Sequence, residues 1–419
     1  MTAVTFHSRR LQGTAQAIPS KSAAHRMLIA AALADGATDV VFRGALSADI
    51  QATIRCLGAM GATVRHCGKL LHVVPGGDLK GEAVFDCGES GSTLRFMLPV
   101  VASRAPEKSM FTGEGRLPNR PLAELCRSLR AHGCVLSADA VPLTLSGQLT
   151  GGVFSLPGNV SSQYITGLLL ALPLTKAGGR ITLTTPLESV DYITMTMETM
   201  RRFQVDVEAL PDGWRVQGGQ VYRTPGKVTV EGDWSNAAAL LCGGALNGHV
   251  TVTGLSLDSS QGDRRILEFL RQFGAELQTG EGAVAVKSHP LVGRELSLDQ
   301  NPDLFPYLAV VAAAARGKTH FTGLRRLRMK ECDRLAGMAE MLKAVGAEVE
   351  EGKDSLAIEG GCQLHGARVD VCRDHRLVMA AALLALVANG EIEIDGVEAV
   401  GKSYPGFVED WSRLQRSAR

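Results

Sequence analysis

Short strand-like segments recur along the chain at intervals of about 70 residues, and each is followed by a small residue. They are DVVFRG, SMFTG, RITLTT, HVTVTG, KTHFTG and IEIDG, which end at Gly44, Gly113, Thr185, Gly254, Gly323 and Gly396. A repeat of this size implies that equivalent positions of each copy occupy equivalent places in the fold. The pattern therefore predicts six related units.

Each unit is predicted to contain an apolar helix, an amphipathic helix and a hairpin. The apolar helices, such as MLIAAALADG and LVMAAALLALVANG, are hydrophobic on nearly all sides and should be buried. In the amphipathic helix of the fourth unit, Ile266, Phe269, Leu270 and Phe273 fall at i, i+3, i+4 and i+7, which is one apolar face. A hairpin-like stretch such as FGAELQTGEGAVAVKS follows. The order predicted is βαβαββ, which is an α/β (α+β) fold.

The ends of the chain indicate how the units are divided. The sixth unit stops after PGFVEDWSRLQ, and the N-terminal stretch AVTFHSRRLQGTAQAIP resembles its missing hairpin. We therefore expect the N-terminus to pair with the last unit. Residues 19–226 would then form an inserted domain of three units. Residues 1–18 and 227–419 would form a discontinuous domain, and the two crossings between the domains would form a hinge.

Composition and charge exclude several classes of function. The net charge is only +1, so no general field favours nucleic acid or a membrane. The nine cysteines have no C-x-x-C pair and no zinc-ligand spacing, which is typical of reduced thiols in a cytosolic protein. No apolar run reaches membrane-spanning length, and the N-terminus lacks a signal-peptide core. We expect a cytoplasmic protein without a metal, and a monomer because no exposed apolar helix demands a partner.

Cationic residues cluster at the starts of the predicted helices. They are Lys21, Arg26, Arg95, Arg120, Lys330, Arg334, Arg376 and Lys402. Helix capping explains Ser22, Ser47 and Asp333 about as well as ligand binding does. It does not explain the cations, because a positive charge in the first turn opposes the helix dipole. These residues therefore indicate a polyanionic ligand, bound at helix N-termini in an expected inter-domain cleft.

The densest group of charges is the segment RLRMKECDR, which runs from Arg326 to Arg334. On its own this segment could be a structural ion-pair network. The motif Asp374-His375-Arg376 lies some 40 residues later, on the neighbouring unit. If both converge, Lys, Glu, Asp and His side chains would supply proton-transfer groups beside fixed cations. The combination indicates an active site more than a structural network.

Six separated motifs, in order along the whole chain, resemble those of the 5-enolpyruvylshikimate-3-phosphate synthase family. They are SKSxxxR at 20–26, RPLAEL at 120–125, VSSQY at 160–164, RMKECDR at 328–334, DHR at 374–376 and GKSYPGF at 401–407. The resemblance implies a two-domain, inside-out α/β barrel-like fold with three βαβαββ repeats in each domain. It also implies transfer of the enolpyruvyl group of phosphoenolpyruvate to the 5-hydroxyl of shikimate 3-phosphate, with release of phosphate. No metal or organic cofactor is implied.

The resemblance also assigns roles to residues of this chain. The implied ligands of shikimate 3-phosphate are Lys21, Ser22, Arg26, Ser161, Ser162, Gln163, Ser189, Tyr192, Asp303, Arg326 and Lys330. The implied ligands of phosphoenolpyruvate are Lys21, Glu89, Gly91, Arg120, Gln163, Arg334, His375, Arg376 and Lys402. Lys21, Asp303 and Glu331 are the implied catalytic residues, with Asp303 near the 5-hydroxyl and the other two around the enolpyruvyl carbon.

Three positions depart from the usual motifs of the family. The residue before Ser20 is Pro19 where the family usually has Gly. The segment Glu89-Ser90-Gly91-Ser92 stands where Asn-x-Gly-Thr is usual, and Arg326 replaces an Asn that contacts the shikimate ring. A Glu facing phosphoenolpyruvate would repel it unless the side chain is turned away or paired with Arg95. We therefore expect these departures to affect the affinity for phosphoenolpyruvate most.

Three other functions are weighed against this one. UDP-N-acetylglucosamine enolpyruvyl transferase shares the fold, but it usually carries Lys-Asn where this chain has Lys21-Ser22. It also usually has a Cys in the loop before the Arg-Pro pair, and the corresponding loop of this chain, from Glu114 to Arg120, contains no Cys. A ring-shaped DNA clamp needs basic inner helices, whereas the first helices here are apolar. The third alternative is a non-catalytic paralogue that binds a phosphorylated ligand, and Glu89 is the only residue that favours it.

Overall fold

The structure, a computed structural model, describes residues 3–77, 79 and 81–417. The first part of the chain contains β1 Ala3–Phe6, β2 Leu11–Gln16, α1 Lys21–Leu33, β3 Thr38–Val41, α2 Ala48–Ala59, β4 Thr63–Cys67, β5 Leu70–Val74, β6 Glu82–Asp86, α3 Gly91–Ser103, β7 Lys108–Thr112, α4 Ala123–Arg130, β8 Cys134–Leu136 and β9 Leu143–Gly147. The middle part contains β10 Gly152–Pro157, α5 Ser162–Ala171, β11 Gly179–Thr185, α6 Asp191–Arg202, β12 Glu208–Leu210, β13 Gly213–Val216, β14 Lys227–Thr229, α7 Trp234–Asn247, β15 Gly248–Thr253, α8 Ile266–Phe273, β16 Glu276–Gly280 and β17 Ala283–Lys287. The last part contains β18 Glu295–Ser297, α9 Phe305–Ala314, β19 Gly317–Thr322, α10 Arg334–Ala344, β20 Glu348–Glu351, β21 Leu356–Gly360, β22 His365–Val369, α11 His375–Leu384, β23 Asn389–Asp395 and α12 Phe407–Arg416.

The chain divides into two units, one continuous and one built from both ends. The inserted unit runs from Lys21 to Val230. The discontinuous unit comprises the chain up to Ser20 and from Glu231 onward. Each division point lies a few residues later than expected. The second differs because β14, expected in the discontinuous domain, pairs in parallel with β3 and so belongs to the inserted unit.

The predicted βαβαββ repeat is confirmed in the sheets. In the second, third, fifth and sixth repeats, the strand before the apolar helix lies parallel to the strand after it. The hairpin strands add antiparallel, as in β6-β7-β9-β8 and β10-β11-β13-β12. The fourth and fifth repeats form β2-β15-β17-β16 and β18-β19-β21-β20. The last repeat forms a three-stranded sheet, β1-β23-β22. The fold class expected from the pattern is therefore the observed one.

The expectation that residues 3–19 form one hairpin of the last repeat is wrong for its second strand. β1 does pair antiparallel with β23 of the sixth repeat. β2 instead runs parallel to β15, as the leading strand of the fourth repeat. β14 takes the matching place beside β3 in the first repeat. The first and fourth repeats thus exchange their leading strands, which gives two chain crossings.

The apolar helices form the core of each unit. Helices α1, α3 and α5 are buried along most of their length in the inserted unit, as are α7, α9 and α11 in the discontinuous unit. In the discontinuous unit these three helices pack on one another. The amphipathic helix α8 buries its predicted apolar face, which includes Ile266, Phe269 and Phe273. Within the described part of the chain, no helix is long and apolar enough to cross a membrane.

This architecture places chemistry at the helix starts. Because the helix cores are apolar throughout, polar side chains are concentrated in the loops before them and in the first turns. Lys21 begins α1, Gly91 begins α3, Ser162 begins α5, Arg334 begins α10 and His375 begins α11. All five were predicted site residues.

Candidate active site

The predicted site residues fall into two groups, one in each unit. The inserted unit contains Lys21, Ser22, Arg26, Glu89, Gly91, Arg120, Ser161, Ser162, Gln163, Ser189 and Tyr192. The discontinuous unit contains Asp303, Arg326, Lys330, Glu331, Arg334, His375, Arg376 and Lys402. Each group is described within its own unit.

In the inserted unit, Lys21 forms an ion pair at the start of α1. Its Nζ lies 2.7 Å from Oδ2 of Asp49, which is buried in the first turn of α2. The Lys21 side chain remains partly exposed. Asp49 was not predicted as a site residue, since an Asp in a first turn is ordinary helix chemistry. The pair holds the ammonium group in a fixed position at the helix start.

Arg26 lies in the interior of the inserted unit. Its Nη1 donates to the Ser22 carbonyl oxygen at 2.7 Å and its Nη2 to the Tyr192 carbonyl oxygen at 3.0 Å. Its Nε donates to Thr196 Oγ1 at 2.9 Å and its Nη2 also to Thr166 Oγ1 at 3.4 Å. Burial lowers the pKa of Arg26 to about 10. These bonds tie the backbone of two predicted ligands, Ser22 and Tyr192, to one cation.

Gln163 is held by hydrogen bonds on both ends of its amide. Its Oε1 accepts from Arg95 Nη1 at 2.7 Å, and its Nε2 donates to Ser92 Oγ at 2.9 Å. Arg95 is itself fixed, because its Nη2 donates to the Pro121 carbonyl oxygen at 2.7 Å. The Tyr164 hydroxyl donates to the same carbonyl at 2.6 Å. The network orients the Gln163 amide from two helices, α3 and α5.

Gly91 lies against two guanidinium groups. A Cβ atom at this position would come within 2.7 Å of Arg95 Nη1 and 2.8 Å of Arg120 Nη1. Real Cβ atoms do not approach heavy atoms this closely. Glycine at the first position of α3 therefore allows both arginines to converge above the helix N-terminus.

Glu89 points toward the loop at Gly115. Its Oε1 accepts from the backbone N–H of Arg116 at 3.3 Å. A Cβ atom added to Gly115, where φ is +57°, would collide with the Glu89 carboxylate. The unusual Glu89 is therefore accommodated by a glycine with positive φ on the opposing loop.

The predicted phosphate-binding serines lie at two helix starts. Ser161 is the N-cap of α5, and its Oγ accepts from the Gln163 N–H at 3.3 Å. Ser162 is the first residue of that helix. Ser189 is buried just before α6 with φ of +58°, a conformation that strains a residue with a side chain. Helix N-termini favour phosphate because backbone N–H groups point out of the helix there and the dipole is positive.

In the discontinuous unit, one guanidinium contacts three carboxylates. Arg334 is almost fully buried at the start of α10. Its Nε donates to Asp374 Oδ2 at 2.7 Å, its Nη1 to Asp303 Oδ1 at 2.8 Å and its Nη2 to Glu331 Oε2 at 2.7 Å. Burial opposes the charged form, but these three carboxylates raise the pKa of Arg334 above its usual value. Arg334 is therefore the centre of the cluster.

Asp303 contacts three cations. Besides Arg334, Lys330 Nζ lies 3.0 Å from its Oδ1, and Arg376 Nη2 lies 3.6 Å from its Oδ2. Burial alone would raise the pKa of the Asp303 carboxyl, but Lys330, Arg376 and Arg334 hold it well below its ordinary range. Burial lowers the pKa of Lys330, and Asp303 partly opposes that shift. Asp303 is thus ionised and strongly paired in the protein alone.

Asp374 is a central member of this cluster that the sequence reasoning missed. It is fully buried and caps α11, where its Oδ1 accepts from the Arg376 N–H at 2.8 Å. Its Oδ2 receives the Arg334 bond and also the Cys332 thiol, with a separation of 3.6 Å. His375 lies beside it, with Nδ1 3.9 Å from the same carboxylate. The DHR motif contained the signal, but roles were assigned only to its other two residues, His375 and Arg376.

Arg376, Arg326 and Lys402 complete the discontinuous group. Arg376 Nη1 donates to the Asp303 carbonyl oxygen at 3.0 Å. Arg326 Nη2 donates to the carbonyl oxygen of Asp299, in the loop before Asp303, at 2.6 Å. Lys402 is buried at the end of the short helix Val397–Lys402. The convergence of the 326–334 segment with the DHR motif, predicted from the sequence, is thus observed within this unit.

Comparisons with known proteins identify the family. The sequence model of the EPSP synthase family, described as 3-phosphoshikimate 1-carboxyvinyltransferase, matches residues 6–411. The chain belongs to this family. A relative from Methanocorpusculum labreanum, named 3-phosphoshikimate 1-carboxyvinyltransferase, is 38% identical over 417 residues, which is 98% of each chain. A relative of the same name from Halobacterium salinarum is 40% identical over 421 residues, covering 97% of each.

Solved structures agree with the family assignment. EPSP synthase from Acinetobacter baumannii superposes with a TM-score of 0.83 at 26% identity, and the match covers 99% of this chain and 98% of that one. The enolpyruvyl transferase NikO from Streptomyces tendae gives a TM-score of 0.79 at 18% identity, covering 98% and 97%. At that identity the likeness to NikO concerns the fold alone. The resemblance to the EPSP synthase family that the six sequence motifs indicated is therefore confirmed.

Proposed function

We propose that the chain transfers the carboxyvinyl group of phosphoenolpyruvate to the 5-hydroxyl of shikimate 3-phosphate and releases phosphate. This is a step of aromatic amino-acid biosynthesis. The relatives carry the name of this activity over nearly the whole chain length. That name favours this reaction over transfer to UDP-N-acetylglucosamine. We further propose that the protein acts in the cytoplasm as a monomer on these two small molecules.

The observation that supports the proposal most strongly is the pairing of cations with carboxylates in the cluster around Arg334. Three cations, Lys330, Arg334 and Arg376, lie against carboxylates that include Asp303 and Glu331. Such a cluster holds its cations in place before a ligand arrives, so little reorganisation accompanies binding. An anionic substrate replaces part of these pairings with charge-assisted hydrogen bonds. Both substrates of the proposed reaction are anions of this kind.

Shikimate 3-phosphate is assigned to residues of both groups. Ser161, Ser162 and Ser189 of the inserted unit are assigned to its 3-phosphate, and Lys330 of the discontinuous unit is assigned to the same group. Arg26 supports the backbone at Ser22 and Tyr192, since its N–H donors are engaged there. The remaining assigned ligands are Lys21, Ser22, Gln163, Tyr192, Asp303 and Arg326.

Phosphoenolpyruvate is assigned by its two charged ends. Arg334 and Arg376 bind the carboxylate, because a guanidinium suits a planar carboxylate. Arg120 and Lys402 bind the phosphate. The other assigned positions are Lys21, Glu89, Gly91, Gln163 and His375, and His375 acts by orienting its neighbours.

The proton transfers are assigned to Asp303, Glu331 and Lys21. Asp303 takes the proton of the 5-hydroxyl, and Glu331 and Lys21 act at the enolpyruvyl carbon. The pKa of Asp303 lies well below its ordinary range in the protein alone because of Lys330, Arg376 and Arg334. When substrate anions bind those cations, they weaken their hold on Asp303 and raise its pKa. Substrate binding thus makes Asp303 a stronger base at the moment when a base is needed.

Phosphate release from phosphoenolpyruvate is the direct test of the proposed function. We expect turnover with shikimate 3-phosphate and none above background with UDP-N-acetylglucosamine. Mass spectrometry of the organic product checks that the carboxyvinyl group is on the 5-oxygen. If the protein binds shikimate 3-phosphate without releasing phosphate, it is a non-catalytic paralogue, and the proposal is wrong.

Replacing Gly91 by alanine is expected to raise the KM for phosphoenolpyruvate. The new Cβ would displace Arg95 and Arg120, which lie less than 3 Å from its position. Weakening one charge-assisted hydrogen bond by roughly 1.5 kcal/mol corresponds to an increase of about tenfold. Steady-state kinetics at saturating shikimate 3-phosphate measure the effect.

Gly58→Ala is the matched control for this substitution. Gly58 is also helical, and a Cβ there meets nothing within 4 Å. We expect its kinetics to equal those of the wild type. A Gly91→Ala enzyme with an unchanged KM for phosphoenolpyruvate would show that neither Arg120 nor the Arg95 that holds Gln163 affects the binding of that substrate.

A further inference from the structure

Four fully buried polar side chains, to which the proposed reaction assigns no role, form a continuous chain of hydrogen bonds in the inserted unit. They are His25 of α1, Thr53 of α2, Thr93 of α3 and Ser90, the N-cap of α3. Thr53 Oγ1 lies 2.7 Å from His25 Nδ1 and 2.7 Å from Thr93 Oγ1. Thr93 Oγ1 in turn lies 2.8 Å from Ser90 Oγ. Three helices are thereby joined through polar groups.

The proton on His25 sets the direction of these bonds. Burial lowers the pKa of His25 to about 3, so the ring is neutral and has one N–H group. Among the described residues, its Nε2 has no hydrogen-bond partner. Because unpaired buried N–H groups are rare in proteins, we assign the proton to Nδ1, which then donates to Thr53. The Thr53 hydroxyl is left to donate to Thr93.

Ser90 receives two hydrogen bonds from Thr93. Its Oγ accepts from the Thr93 hydroxyl at 2.8 Å and from the Thr93 N–H at 3.2 Å, which is the bond that caps α3. The Thr93 hydroxyl also lies 3.5 Å from the Asp49 carbonyl oxygen, a longer contact. A hydroxyl has one proton to donate, so a Thr93 that accepts from Thr53 keeps its own proton for Ser90. The geometry of the N-cap therefore depends on Thr53.

This chain of hydrogen bonds lies close to helix starts that carry predicted substrate ligands. His25 follows Lys21 by four residues in α1, which is about one helical turn. Thr93 follows Gly91 by two residues in the first turn of α3. Thr53, on α2, contacts the side chains of both His25 and Thr93. A change at Thr53 can therefore alter how the starts of α1 and α3 lie relative to each other.

Packing alone does not require a hydroxyl group at position 53. Valine has nearly the same shape as threonine and can be buried without a hydrogen-bond partner. A buried polar network instead favours one arrangement of the elements that it joins, because a shift leaves its members unpaired. Helix α2 packs against both α1 and α3, so Thr53 can fix the two helices at once.

We propose that Thr53 is a positioning residue that acts through Thr93 and Ser90 on the start of α3 and thereby sets the affinity for phosphoenolpyruvate. The inference rests on the proposed function, in which Gly91 and the neighbouring Arg120 bind that substrate. None of the shikimate 3-phosphate ligands assigned to the inserted unit lies on α3. The effect of Thr53 is therefore selective for phosphoenolpyruvate.

Thr53→Val removes the hydroxyl and keeps the shape of the side chain. We expect the KM for phosphoenolpyruvate to rise about fivefold, the effect of one lost hydrogen bond between neutral groups, while the KM for shikimate 3-phosphate stays within about twofold of the wild type. Thr53→Ser keeps the hydroxyl and should restore most of the affinity. A merely structural role would lower the melting temperature without a selective change in the KM for phosphoenolpyruvate, and that result would overturn the proposal.

Thr199→Val is the matched control. Thr199 is also a buried helical threonine, and its hydroxyl donates to the Met195 carbonyl oxygen, one turn earlier in α6, at 2.9 Å. We expect this variant to keep the wild-type KM for phosphoenolpyruvate even if its melting temperature falls. An equal rise in KM in Thr199→Val and Thr53→Val would show general damage and would contradict the positioning role.

Thr93→Val and the double variant Thr53→Val/Thr93→Val test the route of the effect. If Thr53 acts through Thr93, the substitutions are not additive, and the double variant has the KM of Thr93→Val alone. Additive effects would exclude this route. Should Thr53→Val fail to fold, Thr93→Val decides the proposal, because it interrupts the same chain of hydroxyl groups and should cause the same selective change in KM.

Amide hydrogen exchange separates this inference from the proposed function. The Thr93 N–H is bonded to Ser90 Oγ, so a loosened N-cap in Thr53→Val should exchange faster at residues 91–94, whatever reaction the protein catalyses. The start of α6, at residues 193–196, is the internal reference and should exchange as in the wild type. Unchanged exchange at the start of α3 would overturn the positioning role. Absence of turnover in the wild-type protein would instead contradict the proposed function.

Discussion

Replacing Arg334 by methionine is expected to lower the free energy of unfolding of the discontinuous unit by about 3–5 kcal/mol, because it leaves a buried carboxylate cluster without its central cation. Asp374 is fully buried, and Glu331 and Asp303 are mostly buried, so water cannot replace the lost bonds. Methionine fills a similar volume, and the loss is therefore electrostatic. Differential scanning calorimetry of the intact protein measures the change.

The same substitution is expected to reduce kcat/KM on the order of 10³-fold, the cost of removing a preorganised cation from an active site. Arg334 is assigned to the carboxylate of phosphoenolpyruvate, and it also holds Asp303 and Glu331 in place. Phosphate release at saturating shikimate 3-phosphate checks this. To separate activity from unfolding, the assay is run well below the melting temperature of the variant.

Arg328→Met provides a matched control in the same segment. Arg328 also pairs with two carboxylates, Asp333 at 2.9 Å and Glu351 at 2.8 Å, but its side chain is 29% exposed. Exposed ion pairs contribute little, so we expect a loss below about 1 kcal/mol and near wild-type kinetics. Equal losses in Arg328→Met and Arg334→Met would mean that burial of the cluster has no energetic importance.

Much of the fold could be predicted from the sequence, because the repeat makes the same local pattern visible several times. The hairpins and amphipathic helices are specified by neighbouring residues, as the face of Ile266, Phe269 and Phe273 illustrates. The exchange of β2 and β14 could not be predicted in this way. A short parallel strand carries the same alternation whichever sheet it joins, and its partner is decided by the distant strands β15 and β3.

The cations of the site could be predicted, but several of their partners could not. Lys21, Arg334 and Arg376 were conspicuous because a positive charge at a helix start opposes the dipole. Asp49 and Asp374 lie at the same helix starts, where an acidic residue is ordinary. Only the packed structure reveals that the Asp374 carboxylate also receives the Arg334 bond. Residue type alone cannot distinguish a cap from a cap that also orients an arginine.

Replacing Asp303 by asparagine is expected to reduce kcat on the order of 10³-fold, within the usual effect of a general base. Asparagine has nearly the same shape, so packing is kept while the proton acceptor is lost. Removing the negative charge also frees Lys330, Arg334 and Arg376 from a competing anion. Because the substrates are anions, we expect their affinity to be unchanged or stronger. The variant should therefore bind well and react slowly.

Isothermal titration calorimetry and single-turnover phosphate release measure these two effects separately. Asp299→Asn is the matched control, since the Asp299 carboxylate accepts hydrogen bonds from two residues close to it in the chain, Ser297 Oγ and the Gln300 N–H. We expect Asp299→Asn to retain the wild-type rate. An Asp303→Asn enzyme that reacts within tenfold of the wild-type rate would exclude Asp303 as the base. Weakened binding with an unchanged rate would instead assign Asp303 to holding the substrate, because a base affects the chemical step and a ligand affects the binding step.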